Sequence, residues 1–180
     1  SPNEGGSISG VEIAYQQTYS MLPDGWDGLG VQANYTYINS NGVPNVGSNN
    51  GAADGIGSIP NIDVTDLGLP GLSEHTANAV LFWESEHIST RVAYNYRSEY
   101  TLTTRDVIYP FTPIVQAPTS TVDFSFFYTF NRNFIVGFEA ANLTGEVVET
   151  RSVYNQDLDQ AGRSYFDSDT RYTFTLRGSF

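Results

Sequence analysis

The 180-residue chain contains no cysteine and no lysine, and only one methionine and two tryptophans. Without cysteine there is neither a disulfide framework nor a thiolate metal site. Without lysine the only fixed cations are eight arginines, set against 20 aspartates and glutamates for a formal net charge of −12. That balance argues against a nucleic-acid partner, whose phosphates demand a basic face, and against a polybasic binder of anionic membrane surfaces. Hydrophobic residues are 39% of the chain, below the usual share for a globular domain. No apolar run approaches the roughly 18 residues of a transmembrane helix. This shortage leaves a membrane β-barrel open, because a barrel hides its hydrophobicity in alternation. The opening Ser1–Ser7 reads as loop with no secretory leader, as expected of an exported protein in mature or partial form.

Aromatic residues are abundant, with 12 tyrosines and 11 phenylalanines, and they alternate with polar ones. In the last ten residues Tyr172, Phe174, Leu176, Gly178 and Phe180 fall on one side, and Arg171, Thr173, Thr175, Arg177 and Ser179 on the other. A strand points successive side chains to opposite faces, and a tilted strand of about 9–11 residues spans a bilayer. The same period appears at 11–20, 29–38, 76–84, 88–97, 119–130 and 134–142, which makes seven strands with 171–180. Pro23-Asp24-Gly25 has turn chemistry, and Ser85–His87 and Asn131–Asn133 are tight links. Residues 39–74, 98–118 and 143–170 are long connections, and Pro110, Pro113 and Pro118 argue against a central strand in the second.

Short and long connections therefore alternate, as in an up-and-down membrane barrel with short periplasmic turns and long extracellular loops. The strand charges Glu12, Glu84, Arg91, Arg97, Asp123, Glu139, Arg171 and Arg177 all lie opposite the aromatic-aliphatic face. Either lipid or a protein core on the apolar face would require that. Aromatics at the strand ends favour lipid. Tyr19, Trp83, Tyr128, Phe130, Phe134 and Phe180 gather at the short-turn rim, and Tyr37, Tyr96 and Tyr172 at the other, as two interfacial girdles. The fold expected is all-β, an antiparallel up-and-down transmembrane barrel segment of about seven strands belonging to a larger barrel. The alternative is a soluble β-sandwich, a surface binding or adhesion module with its long loops at one end.

Leu69–Asn78 and Arg91–Tyr100 resemble the matching stretches of TonB-dependent outer-membrane receptors. Phe138–Glu146 resembles that family's Asn-Leu-Thr segment, and Arg171–Phe180 resembles its closing strand, with Tyr172, Phe174, Leu176 and Phe180 as the barrel-assembly signal. More narrowly, the chain is similar to the branch common in Caulobacter- and Xanthomonas-type bacteria. The resemblance implies the outer membrane of a Gram-negative bacterium and a barrel of about 22 strands with a plugged lumen. It implies active transport of a scarce nutrient, leaning to oligosaccharide with iron–siderophore second, and no enzyme activity or cofactor. The partners implied are outer-membrane lipid, the rest of the barrel and its plug, TonB through an N-terminal part with no counterpart here, and the extracellular nutrient. The 180 residues are then expected to cover the last seven strands.

Chemistry-bearing clusters are few. His75 and His87 fall at different rims and read as surface residues, not a metal pair. Asp157-Leu158-Asp159 and Asp167-Ser168-Asp169 offer oxygens of the kind Ca²⁺ takes, without the spacing of a calcium loop, and read as a solvated acidic loop. No nucleophile constellation is legible. Arg105, Asp106, Tyr109 and Phe111 in the second long connection mix charge with aromatic faces and are the expected ligand contacts.

Overall fold

The structure, a computed structural model, describes residues 6–41, 62 and 67–178. Among these residues every regular element longer than a turn is a strand: β1 (Ser7–Thr18), β2 (Leu29–Asn41), β3 (His75–Glu84), β4 (Ile88–Arg97), β5 (Tyr100–Thr103), β6 (Ile114–Gln116), β7 (Thr119–Asn131), β8 (Phe134–Ala141), β9 (Val147–Val153), β10 (Gln160–Asp167) and β11 (Arg171–Gly178). Seven of them form one sheet in the order β1-β2-β3-β4-β7-β8-β11. Every neighbouring pair is antiparallel. Turn chemistry closes the short ends: Gly25 takes φ 91°, and the Trp26 amide donates to the Pro23 carbonyl at 2.9 Å.

Alternation sets the two faces of this sheet. Its apolar face has no protein cover among the described residues: Phe174 is 81% exposed and Leu176 71%, and Val11, Ile13, Tyr15 and Leu81 are exposed as well. A water-soluble sandwich would lay a second sheet over such a face, whereas a lipid-facing barrel wall leaves it bare. Aromatic rings meet along this face, with Tyr128–Phe130 centroids at 4.6 Å, Phe130–Phe134 at 5.4 Å and Phe138–Phe174 at 5.1 Å.

The other face carries the charges and two aromatics that break the alternation. Phe82 lies over its cross-strand partner Gly30, and Phe127 over Gly137. A Cβ at either glycine would run into the ring. Aromatic cover of a strand glycine fills the gap the missing side chain leaves.

The connections at 98–118 and 143–170 differ from the irregular loops expected. They contain β5, β6, β9 and β10, which form a second sheet in the order β10-β9-β6-β5. This sheet stands on four columns of the first. Arg97 pairs with Thr119 at the top of β4 and β7, and Tyr100 pairs with Gln116 in the same register. Two residues are inserted between β8 and β9. Gln116 opposes Thr150, where the β7–β8 register carried upward would bring Val148; Asp167 opposes Val147, where the β8–β11 register would bring Gly145. Pro113 and Pro118 flank β6 and leave its ladder donors intact. Of the connection at 39–74, residues 42–61 and 63–66 lie outside the described residues, as does Phe180.

The small core sits in this second sheet. Thr101, Val115 and Val153 are its most completely buried side chains, joined by Ile114 and Ala117. The sheet curls: Gln160 on β10 donates from Nε2 to Glu99 Oε1, beside β5 at the opposite edge, at 2.9 Å. Flat strands three apart would be separated by about 14 Å.

Candidate functional site

Three structures meet where the first sheet passes into the second: the top of β2, the strap Leu67–Ser73, and the β4–β5 junction. The strap is fixed by positive φ at Gly68 (69°) and Gly71 (82°), which glycine adopts without a Cβ penalty. It runs along the free edge of β5, where the Gly71 amide donates to the Thr101 carbonyl at 2.8 Å and Thr101 Oγ1 donates to the Leu67 carbonyl. Arg97, the last residue of β4, donates to Ser73 Oγ at 2.5 Å and to the Gly71 carbonyl at 2.6 Å. Its guanidinium also lies 3.7 Å from the centre of the Tyr100 ring, a cation–π contact, while the Tyr100 hydroxyl donates to Gln116 at 2.8 Å.

Together these elements enclose a cavity of about 430 Å³, within the range of small-molecule sites. Its polar lining includes Asn39, Ser40, Glu74, Glu99, Tyr100, Thr101 and Gln160; Ile38, Leu67, Gly68, Leu72, Val115 and Leu158 complete the described lining, and none of these residues is basic. Glu99 is oriented by the Gln160 amide and has Arg151 at 3.9 Å. Arg151 is committed more closely to Glu149, at 2.8 Å. That hydrogen bond holds the Glu149 carboxyl below the usual glutamate range and raises Arg151 in turn.

The expected contacts Arg105, Asp106, Tyr109 and Phe111 lie in the β5–β6 connection, and none of them lines the cavity. Arg105 stands 4.9 Å over the Phe111 ring, and Tyr109 meets Phe111 edge-on at 6.1 Å. Asp106 is turned inward, its side chain 10% exposed, to accept from Arg163 of β10 at 2.7 and 2.9 Å. Val107, 89% exposed, and Ile108 and Tyr109 form the outer tip. Tyr172, Phe174 and Leu176 share the exposed apolar face of β11. Asp157-Leu158-Asp159 closes the β9–β10 turn, with Asn155 Nδ2 donating to Asp159 at 2.8 Å. Among the described residues no group of three histidines or carboxylates is placed to hold a metal. His75 is more engaged than a bare surface residue, its Nδ1 2.7 Å from the Tyr35 hydroxyl and its ring 5.2 Å from that of Tyr37.

The cavity residues Glu74, Glu99, Tyr100 and Gln160 do not stand out from composition or spacing. The first three do fall within Leu69–Asn78 and Arg91–Tyr100, the stretches that carry the family resemblance; Gln160 has no such signal.

A family model described as TonB dependent receptor-like, beta-barrel, matches residues 2–143. No curated protein and no solved structure matches the chain.

Proposed function

Because this chain belongs to the TonB-dependent receptor-like β-barrel family, we propose that it supplies barrel wall and outer mouth to a receptor that imports an oligosaccharide, with a ferric siderophore as the second substrate class. The family works in TonB-dependent transport across the outer membrane of Gram-negative bacteria. On this reading lipid covers the apolar face of the seven strands, and the charged face looks into a lumen closed by further strands and filled by a plug. TonB acts through an N-terminal part of the receptor. Tyr172, Phe174, Leu176 and Phe180 act as the assembly signal. The second sheet stands outside the membrane, with Arg105, Tyr109 and Phe111 toward its tip as ligand contacts and Asp106, turned inward onto Arg163, bracing them.

The observation that carries the substrate reading is the mouth cavity. Its carboxylates, amides and hydroxyls match a ligand rich in hydroxyl groups, which both donate and accept. Similarity to the branch found in Caulobacter- and Xanthomonas-type bacteria leans the same way.

The test is calorimetric titration of the full-length receptor in detergent. Malto-, xylo- and cello-oligosaccharides are compared with ferrichrome and with a ferric tricatecholate. Saturable binding of one of the sugars supports the reading. Binding of ferric complexes alone moves the receptor to the siderophore class.

A further inference from the structure

Glu74 on the strap side and Glu99 at the β4–β5 junction reach one cavity from separate chain segments, and no described lining residue is basic. Glu99 is held in place by Gln160 and lies 3.9 Å from Arg151, a single cation that it shares with Glu149, which is closer to it at 2.8 Å. Glu74 is 58% exposed, and among the described residues its ion-pair contact is His75 Nε2, at 3.9 Å. An ionised carboxylate is an acceptor only. It welcomes hydroxyl or ammonium donors and offers nothing to a second carboxylate but repulsion, and a low-dielectric wall such as Val115 and Leu72 sharpens that repulsion.

We propose that the mouth cavity is a charge-selective subsite, with Glu74 and Glu99 as the specificity-determining residues that admit an uncharged or cationic hydroxyl-rich ligand and reject an anionic one. The proposal rests on the reading that the cavity contacts the transported ligand, but it does not depend on which ligand class is carried. A chain with a net charge of −12 adds long-range repulsion of the same sign, and the cavity turns that general bias into discrimination at contact.

The experiment uses the full-length receptor in detergent and two matched pairs of probes. One pair is maltotriose and maltotriose ending in a glucuronate. The other is neutral ferrichrome and an anionic ferric tricatecholate. In the pair that binds, the neutral member is expected to bind at least about tenfold tighter, since like-charge contact sets specificity. The double variant Glu74→Gln, Glu99→Gln is expected to close that gap by tightening the anionic member, while the neutral member, which loses two carboxylate acceptors, binds equally or more weakly. A variant-free readout guards against misfolding: raising the salt should weaken the rejection in the native receptor, through screening. Equal binding of neutral and anionic members overturns the proposal. So does a gap that survives both the double variant and high salt, or failure of both neutral probes to bind. If only the ferric pair binds and shows the gap, the charge filter stands and the oligosaccharide reading falls.

Discussion

Asn142 takes φ 55°, and its side chain ties together both sides of the joint between β8 and β9. Its Nδ2 donates to the Glu146 carbonyl at 3.3 Å and to the Ser168 carbonyl, and its Oδ1 accepts from the Glu146 amide at 2.8 Å. Its own amide donates to Asp123 Oδ1 at 2.9 Å. Asparagine tolerates the left-handed region that alanine resists. Asn142→Ala should therefore cost the outer sheet about 3 kcal/mol, from lost hydrogen bonds plus backbone strain. Asn142→Gly should cost less, because only the bonds are lost. Amide-exchange protection of β9 and β10 in the full-length receptor measures both, and equal losses would rule out the strain component. The glycine beneath Phe127 gives a second case. Gly137→Ala forces that ring to move, and overpacking of this kind costs about 1–3 kcal/mol. Adding Phe127→Ala should restore part of the loss, a non-additivity that urea titrations of the refolded barrel in micelles detect. Phe82 and Phe127 are also where the alternation blurs in the sequence. Neither reads as a lumen-side residue until its glycine partner on another strand is known.

The strands were legible in proportion to how different their two environments are. A strand with lipid on one side and water on the other must alternate cleanly, and the antiparallel meander of seven such strands follows from the period and the turn residues. The four strands of the outer sheet give no such signal. β6 is three residues long, β5 four, and Val115 and Val153 are buried against protein, so no period develops. The pairing of Asp106 with Arg163, 57 residues away, leaves no local trace. Composition alone pointed to the 105–111 stretch, and it could not show that Asp106 turns inward while Tyr109 stays out. The alternation itself can be tested on β11. Phe174→Arg places a cation on the bare apolar face and should cost about 2–4 kcal/mol near mid-bilayer. Thr175→Arg, one residue on and facing the other way, should be tolerated. Heat-modifiable migration of receptor extracted from outer membranes separates the two. Equal loss of folded band for both would mean that β11 has no lipid side.

At the scale of the whole molecule, two sheets share four strand columns but are held by different forces. The seven-stranded sheet has almost no protein core, and its apolar face relies on lipid. The outer sheet relies on its own contacts: the packing of Thr101, Val115 and Val153 and the ion pairs Asp106–Arg163 and Glu149–Arg151. Acid should therefore loosen the outer sheet first. Arg151 lowers the Glu149 pKa in the folded state. A carboxyl lowered on folding contributes stability that is complete above its unfolded value, near 4.3, and is lost as the pH falls through the lower folded value. The pair thus stays intact at neutral pH and fails only below the ordinary glutamate range. Arg151→Gln removes the cause of the shift, so loosening of β9 and β10 should begin at a higher pH in that variant. Exchange protection factors, corrected for the intrinsic pH dependence of amide exchange, follow β9–β10 and β8–β11 separately in one titration of the full-length receptor. Protection in β9–β10 should fall first on acidification while β8–β11 holds. If both were lost together at one pH, the sheets would be a single cooperative unit, and the outer mouth could not rearrange around a ligand without disturbing the wall beneath it.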